Sequence, residues 1–319
     1  MTQRSASAWP VGPHGGAEEA SQGLDARAAA TVHALSIDVE DWFHVLDCAG
    51  APEPASWSGQ PSRVEANTRA LLQLLDAHGQ RATFFVLGWV AEHHPAVVAE
   101  IVRHGHEIGS HSYGHALVSS QTPDSFARDL DRSLEALHAA GAPQVRSFRA
   151  PGFSIGPDEA WAFDILASRG VRLDASLFLS RRAHGGWPLA RRRPFEIWTP
   201  GGAHLLEVPV VPFRLAGREL PWSGGGYLRL LPKALLLTLL RQANHADEPA
   251  VVYLHPREID PAQPRMALPA ARSFKYYVGL DGVEDKLRAM FSVARFDTLS
   301  AVAAATAKDP PLVLTRRAA

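Results

Sequence analysis

The sequence predicts an α/β fold, with a parallel sheet covered by helices. Short apolar runs typical of buried strands alternate, from Val32 onward, with longer segments that carry apolar residues at helical spacing. Polar residues follow several of the predicted strands, which places them at the carboxyl edge of the sheet, where parallel sheets build their sites. Because several strand ends deliver polar side chains to one rim, the pattern favours a closed ring over an open sheet.

The elements follow one another in a regular order. Gly79, Gly105 and Gly141 mark the ends of predicted helices, and Pro95 and Pro123 lie in first turns. We predict strands at 32–37, 82–87, 106–111, 145–149, 171–174, 205–211 and 250–254, and helices at 64–78, 94–102, 122–141, 157–170 and 231–244.

The domain organisation is read from composition. Residues 1–30 are rich in Ala, Gly, Ser and Pro, which predicts a disordered leader, and residues 31–310 are predicted to form one domain. A Gly-, Pro-, Arg- and Trp-rich stretch at about 180–226 is predicted as a loop-rich insertion.

Charge and hydropathy exclude some partners. The chain has 319 residues and a formal net charge of -1, which does not fit a nucleic-acid-binding protein. The most apolar run, 234–240, is too short for a membrane span, and no signal peptide is visible, so a cytoplasmic location is expected. Cys48 is the single cysteine, so no intrachain disulfide can form.

Two groups of side chains with metal-binding chemistry follow predicted strands. The segment His111-Ser-Tyr-Gly-His115 places two imidazoles four residues apart, and a helical turn would put both rings on one face, where they can bind one metal ion. Asp38, Glu40 and Asp41 supply three carboxylates, which raise one another's pKa unless a metal or a base role compensates. Either group alone is weak evidence, because the chain contains 15 histidines and an acidic cluster can be a surface turn.

Five motifs taken together are more specific. They are Asp38-Val-Glu-Asp41, His111-Ser-Tyr-Gly-His115, Arg149-Ala-Pro-Gly152, Asp174-Ala-Ser176 and Leu254-His255. In order and spacing the set resembles the polysaccharide deacetylases, the NodB-homology group or carbohydrate esterase family four, across about residues 32–259. Two downstream segments, Ser223-Gly-Gly-Gly-Tyr227 and Phe274-Lys-Tyr-Tyr-Val-Gly279, resemble a branch of that family found at bacterial exopolysaccharide loci of the exosortase/PEP-CTERM type.

The resemblance implies a fold and an activity. The fold would be a distorted (β/α) barrel, often with seven strands. The activity would be metal-dependent hydrolytic N-deacetylation of an amino-sugar-containing poly- or oligosaccharide in exopolysaccharide biosynthesis, with an N-acetylated glycan as substrate.

The resemblance also implies the metal ligands. His111 and His115 would bind Zn²⁺, or else Co²⁺ or Mn²⁺, and a carboxylate would be the third ligand. Many members have two adjacent aspartates in the first motif, whereas Val39 follows Asp38 in this chain. The third ligand is therefore Glu40 or Asp41, and members with an acid-x-acid pattern favour Glu40.

The other roles implied by the resemblance concern proton transfer and substrate. Asp38 would be the general base that activates water and Arg149 its charged partner, while His255 would be the general acid and Asp174 its hydrogen-bond partner. A backbone N–H near Gly152 would stabilise the oxyanion. Phe153 would form part of the wall of the acetyl pocket, because several members carry an aromatic residue at the position of Gly152.

Two other functions stay open on the sequence. The same fold and metal site can hydrolyse a non-sugar amide or a cyclic ureide, since fold does not determine substrate. A third hypothesis is a carbohydrate-binding scaffold with an inactive site. It is disfavoured because no residue of the proposed catalytic and metal-binding set is missing.

Overall fold

Strands and helices alternate along most of the chain in the computed structural model, which describes residues 31–315 except 47, 49, 183, 216 and 217. The strands are β1 Val32–Val39, β2 Thr83–Val86, β3 Glu107–Ser110, β4 Ser147–Phe148, β5 Leu173–Asp174, β6 Phe195–Trp198, β7 His204–Glu207, β8 Phe213–Leu215, β9 Arg218–Leu220, β10 Val251–Leu254, β11 Arg295–Asp297 and β12 Asp309–Val313. The predicted leader at 1–30 lies outside the described residues.

Ten α-helices lie among the described residues. They are α1 Val64–Ala77, α2 Gly88–His93, α3 Pro95–Arg103, α4 Pro123–Ala139, α5 Trp161–Ser168, α6 Gly225–Leu230, α7 Lys233–Ala246, α8 Ala270–Tyr277, α9 Val283–Phe291 and α10 Leu299–Ala305. Short 3₁₀ turns lie at Pro54–Gly59, Val118–Ser120, Pro151–Phe153, Pro157–Glu159, Pro256–Ile259 and Leu280–Gly282. No helix of this described part is both long and apolar enough to cross a membrane.

Seven strands form a continuous parallel run in the order β10-β1-β2-β3-β4-β5-β7. Beyond β7 the sheet continues with β6, which is antiparallel to it, and then with β12. Strand β11 pairs with the first residues of β1. The parallel α/β fold is thus confirmed. Over the described ranges no hydrogen-bonded ladder joins β7 to β10, so closure of the ring stays a prediction.

The sheet curves around its own interior. Ala34 of β1, Phe85 of β2, Leu173 of β5 and Tyr253 of β10 belong to one buried apolar cluster, although β5 and β10 lie far apart in the strand order. Side chains of strands that are not neighbours can share a cluster only if the sheet bends toward them. The same curvature brings the carboxyl ends of the strands toward one another, which positions the site.

Helices cover the outer face through apolar stripes. In α1 the stripe is Leu71, Leu72, Leu74 and Leu75, each at most 5% exposed. Burying a leucine side chain of this kind contributes about 2 kcal/mol. Thr122 begins α4 by accepting a hydrogen bond from the backbone N–H of Ser125, which agrees with the predicted start of that helix.

The stretch at 180–226 differs from the prediction of a loop-rich insertion. It contains the antiparallel pairs β6–β7 and β8–β9. Of these strands, β7 lies in the central sheet and coincides with the strand predicted at 205–211, whereas β6, β8 and β9 were not predicted. In β6, Phe195 and Ile197 are buried whereas Trp198 is half exposed. Because β6 has only four residues and is flanked by prolines and glycines, its alternation of buried and exposed side chains is too short to be recognised in the sequence.

Candidate metal centre and active site

The two histidines of the predicted metal motif lie in a loop after β3, and this loop is not helical. Ser112 and His115 have positive φ angles of 67° and 55°, so the helical turn considered from the sequence is wrong. The loop nevertheless brings the ring centroids of His111 and His115 to 5.2 Å from one another. The pairing of the rings therefore depends on two left-handed residues rather than on helical periodicity.

Asp129 of α4 holds this loop in place. Its carboxylate accepts hydrogen bonds from the backbone N–H groups of Tyr113 at 2.8 Å and Gly114 at 3.0 Å. Burial raises the pKa of Asp129, and these two hydrogen bonds act in the opposite direction. Sequence reasoning missed this residue, because an acid within an amphipathic helix carries no signal of a distant partner.

A hydrogen bond at Nδ1 of His111 determines whether Nε2 carries a lone pair or a hydrogen. Its Nδ1 lies 2.8 Å from the carbonyl oxygen of Arg149, which can only accept, so Nδ1 carries the hydrogen. The neutral ring then presents the Nε2 lone pair to Oε1 of Glu40, 3.1 Å away. Two electron-rich atoms at this distance repel each other unless a proton or a cation lies between them.

Glu40 is the carboxylate that the fold brings to both histidines. Its Oε1 lies 2.9 Å from Nε2 of His115, and ligand atoms of Glu40, His111 and His115 all lie within 4.8 Å of one another. All three residues are buried. Burial opposes ionisation of Glu40, but the neighbouring His115, His255 and His111 lower its pKa well below its usual value.

Asp41, the other candidate for the third ligand, instead accepts hydrogen bonds from the residues at the beginning of α1. Its Oδ2 accepts hydrogen bonds from Ser62 Oγ at 2.6 Å and from the backbone N–H groups of Arg63 at 2.9 Å and Val64 at 3.2 Å. A carboxylate at this position satisfies N–H groups that have no partner inside the helix. Among the two acids considered from the sequence, the geometry selects Glu40.

The cluster of Glu40, His111 and His115 fits a divalent metal ion. Two imidazoles and one carboxylate are a ligand set used by zinc sites that keep a position open for water and substrate. The hydrogen bond from Nδ1 of His111 to a backbone carbonyl is the arrangement that fixes a metal-binding histidine in its ligating orientation. Among the described residues this is the one cluster with the donor geometry for a metal.

Asp38 ends β1 beside this cluster and is paired with Arg149. Nη1 of Arg149 lies 2.7 Å from Oδ1 of Asp38 and 2.8 Å from Oγ of Ser36. The arginine is fully buried, and its guanidinium lies 4.4 Å from the ring centroid of Phe85. An unpaired charge would be costly there, and the ion pair with Asp38 offsets the burial of the guanidinium and orients both groups.

His255, directly after β10, faces the acids. Its Nε2 lies 4.0 Å from Oδ2 of Asp38 and 3.8 Å from Oε1 of Glu40. Burial lowers the pKa of His255, but the carboxylates of Glu40 and Glu258 outweigh this effect, so that its pKa is raised. The structure thus brings Asp38, His255 and the cluster of Glu40, His111 and His115 together at one edge of the sheet.

The expected pairing of Asp174 with His255 is wrong. Asp174 accepts hydrogen bonds from the backbone N–H of Ser176 at 3.0 Å and from its Oγ at 2.7 Å, and it is the register partner of Glu207 on β7. The carboxylate next to Nδ1 of His255 is that of Glu258, at 3.5 Å. Asp174 lies deep in the sheet, whereas Glu258 lies in the turn that follows His255.

Glu207 is a second residue that sequence reasoning missed. It is fully buried beside Asp174, and its Oε1 accepts a hydrogen bond from the backbone N–H of Leu177. Burial and the neighbouring Asp174 carboxylate raise the pKa of Glu207 well above its usual value. The pair lies beside the chain around Ala175, whose carbonyl accepts a hydrogen bond from Nε of Arg149.

Gly152 and Phe153 lie in the turn after β4. Gly152 has a φ of 62°, and an added Cβ there would lie 3.0 Å from side-chain atoms of Leu46 and Leu117, so the position suits glycine. The ring of Phe153 is buried and packs edge-on against Tyr253, with centroids 5.0 Å apart. Their roles as oxyanion donor and acetyl-pocket wall stay predictions.

Two family models match the chain. Residues 58–164 match the model described as polysaccharide deacetylase, and residues 175–304 match one described as a domain of unknown function (DUF3473). His111, His115 and Arg149 lie in the first match, whereas His255 and Glu258 lie in the second. Each match covers less than half of the chain.

Several curated proteins are similar over about 85 residues. A peptidoglycan-N-acetylglucosamine deacetylase of Bacillus cereus is 32% identical over 84 residues, which cover 26% of this chain and 30% of that protein. Chitin deacetylase 1 of Saccharomyces cerevisiae is 34% identical over 84 residues, 26% of this chain and 27% of that protein. A chitooligosaccharide deacetylase of Azorhizobium caulinodans is 31% identical over 85 residues, 26% of this chain and 40% of that protein. The chain thus spans less than half the length of these relatives.

A solved structure extends the likeness in fold to the whole chain. A Mycobacterium smegmatis protein assigned to the polysaccharide deacetylases superposes with a TM-score of 0.61 at 20% identity, covering 100% of both chains. At that identity the likeness shows a common fold. Residues 58–164, which carry both histidines of the metal cluster, are thus similar to the polysaccharide deacetylases in sequence, and the chain shares their fold.

Proposed function

We propose that the protein is a metal-dependent hydrolase that removes N-acetyl groups from an amino-sugar-containing poly- or oligosaccharide. The observation that carries the proposal is the placement of Asp38 and His255 beside the cluster of Glu40, His111 and His115. The curated relatives, named as deacetylases of peptidoglycan, chitin and chitooligosaccharides, support an N-acetylated glycan as the substrate.

The residues can divide the reaction between them. A divalent ion, for which Zn²⁺ is the best candidate from the ligand set, would polarise the acetyl carbonyl and lower the pKa of water to about 7. Asp38, held by Arg149, takes a proton from the attacking water while the water oxygen bonds to the acetyl carbon. Nε2 of His255 gives a proton to the sugar nitrogen as the C–N bond breaks, which yields acetate and a free amine.

The site takes His111 and His115 from the first matched stretch, His255 from the second, and Asp38 from β1, which precedes both. The base lies on β1 and the acid follows β10, and these two strands are neighbours in one sheet. We therefore propose residues 31–310 as a single catalytic domain. The two downstream segments, 223–227 and 274–279, and the match to the domain of unknown function are consistent with a role in exopolysaccharide biosynthesis.

An acetate-release screen tests the proposal. The purified chain is incubated with N-acetylglucosamine oligomers and other N-acetylated glycans in the presence of Zn²⁺, Co²⁺ or Mn²⁺, with cyclic ureides as the competing substrates. We expect metal-dependent acetate release from at least one glycan and no ring opening. Ureide turnover without acetate release would favour the alternative amide hydrolase. A chain that takes up no divalent ion would contradict both enzymatic functions.

A further inference from the structure

Three buried atoms without a hydrogen bond converge on one point behind the candidate acid. Oε1 of Glu258 lies 3.5 Å from Nδ1 of His255 and 3.6 Å from Nε of Arg229. None of the three atoms has a hydrogen-bond partner with suitable angles, and each is inaccessible to solvent. Because Oε1 of Glu258 lies within 3.6 Å of both nitrogens, the three groups form one polar unit.

Arg229 is itself anchored from the far side. Its Nη1 and Nη2 donate to the carbonyl oxygens of Tyr276 at 2.5 Å and Lys275 at 2.8 Å, in the last turn of α8. The last carbonyls of a helix carry partial negative charge, which suits a guanidinium. With its two terminal nitrogens bound, Arg229 can turn only Nε toward Glu258.

The two downstream segments noted in the sequence enclose this arginine. An added Cβ at Gly279 would lie 2.5 Å from the carbonyl oxygen of Arg229, at a φ of 70°. An added Cβ at Gly224 would lie 1.8 Å from the ring of Tyr253 on β10. The glycines thus allow α6 to approach both β10 and the end of α8, which places Arg229 behind Glu258.

We propose that Glu258, fixed by Arg229, is the positioning partner of His255, in the place that the family resemblance gave to Asp174. This inference rests on the proposed function for the role of His255. Glu258 accepts the hydrogen on Nδ1 of His255 and thereby directs Nε2 toward Asp38 and Glu40. A carboxylate behind an imidazole fixes its tautomer and its orientation in this way. Arg229 keeps that carboxylate charged and prevents it from rotating away.

Comparing a substrate whose leaving group needs a proton with one whose leaving group does not tests whether Glu258 positions His255 or only stabilises the structure. The variants are Glu258→Gln, which keeps the shape and removes the charge, and Glu284→Gln, a control at an exposed pair with Arg288. With N-acetylglucosamine pentamer and Zn²⁺, we expect Glu258→Gln to lower kcat about 100-fold with little change in KM. Hydrolysis of 4-nitrophenyl acetate, whose leaving group needs no proton, should change less than threefold. Equal losses on both substrates would overturn the proposal.

A double-mutant cycle tests whether Glu258 acts through His255. Because a positioning residue has no effect once its target is gone, Glu258→Gln should add no further loss to His255→Ala. Arg229→Gln should likewise change the ratio of amide to ester turnover, and it should add nothing to Glu258→Gln. A further loss in either double variant would contradict the arrangement.

A measurement on the unmodified chain covers the case in which the variants fail to fold. Long-range ¹H–¹⁵N spectra of the Zn²⁺-loaded protein report which ring nitrogen of His255 carries hydrogen. We expect Nδ1 to be protonated, and a bare Nδ1 would refute the role of Glu258. This spectrum does not depend on turnover. Absence of acetate release would therefore reject the proposed function, whereas the spectrum alone would decide whether Glu258 pairs with His255.

Discussion

Hydrogen-bond partners separate three neighbouring acids into three roles. Asp38 faces a buried guanidinium, Glu40 faces two imidazoles, and Asp41 accepts from a hydroxyl and from backbone N–H groups. All three are at most 5% exposed, so burial alone does not distinguish them. What differs is the group placed opposite each carboxylate, and this decides whether it can act as base, ligand or helix cap.

Replacing His111 by alanine removes a ligand from the cluster. We expect His111→Ala to lose tight divalent-metal binding and acetate release together, because Glu40 and His115 alone offer an incomplete set. Metal content of the purified variant and its turnover check this. His104→Ala is a matched control, since His104 pairs with Asp76 away from the site. Retention of a stoichiometric metal by His111→Ala would contradict the assignment.

Replacing Asp38 by asparagine removes the base and leaves the ligands. Asp38→Asn should bind metal as the wild type does and lose turnover by about 10²- to 10⁴-fold, the usual contribution of a general base. Arg149 then loses its charged partner, so the thermal stability should be compared as well. Near-normal kcat in a folded Asp38→Asn variant would show that the mechanism is wrong.

At the scale of elements, helices fix loops that lie at the sheet edge. Asp129 of α4 holds the loop that carries both histidines, and α1 begins on the carboxylate of Asp41. The loop after β3 contains two residues with positive φ. Such a conformation persists only where the surroundings determine it, which makes the anchoring contacts important for the site.

Asp129→Ala tests this anchoring. Without the carboxylate, the N–H groups of Tyr113 and Gly114 lose their partner, and we expect metal affinity to fall roughly 10- to 100-fold. Isothermal titration with Zn²⁺ measures the change. Asp131→Ala on the same helix, which removes a surface pair with Arg169, should leave the affinity unchanged. Equal affinities in the two variants would contradict the role of Asp129.

His33 joins β1 to α7 and β10 in its neutral form. Its Nδ1 accepts from the backbone N–H of Ala250 at 3.0 Å, and its Nε2 lies 2.6 Å from Oδ1 of Asn244. Burial lowers the pKa of His33 from 6.5 to about 4. Between these values the unfolded chain binds a proton that the folded chain does not, so stability falls as the pH decreases through this window.

The expected loss from His33 approaches about 3 kcal/mol near pH 4. The measurement is the free energy of unfolding in urea at several pH values between 4 and 7. Above pH 6.5 the contribution is constant. The variant His33→Gln should show a shallower dependence on pH than the wild type, since both share every other titrating group. Identical slopes would show that His33 does not titrate differently on folding.

At the scale of the whole molecule, the sheet joins both matched stretches. β1 is paired with β10 on one side, and with β2 and β11 on the other. Two of these partners lie in the second stretch, more than 200 residues along the chain. Residues 31–174 by themselves would leave one edge of β1 without a partner and the interior cluster without Tyr253.

A fragment of residues 31–174 is therefore expected not to fold on its own. Its loss of β10 and β11 exposes β1 and removes part of the apolar interior, whereas residues 31–315 should unfold in one cooperative transition. Circular dichroism during thermal unfolding compares the two. A cooperative transition of the short fragment near that of the longer chain would contradict the single-domain interpretation.

The sequence alone determined the seven strands of the parallel run, five of the helices and the placement of site residues at strand ends. Periodicity and capping residues are local, so the starts of α1, α3 and α4 and the strands that precede Glu40, His111 and His255 could be predicted. Only the tertiary structure decided between Glu40 and Asp41, placed Glu258 instead of Asp174 beside His255, and revealed β6, β8 and β9. Those outcomes depend on which side chains meet across the sheet, and contacts between distant parts of the chain leave no local pattern.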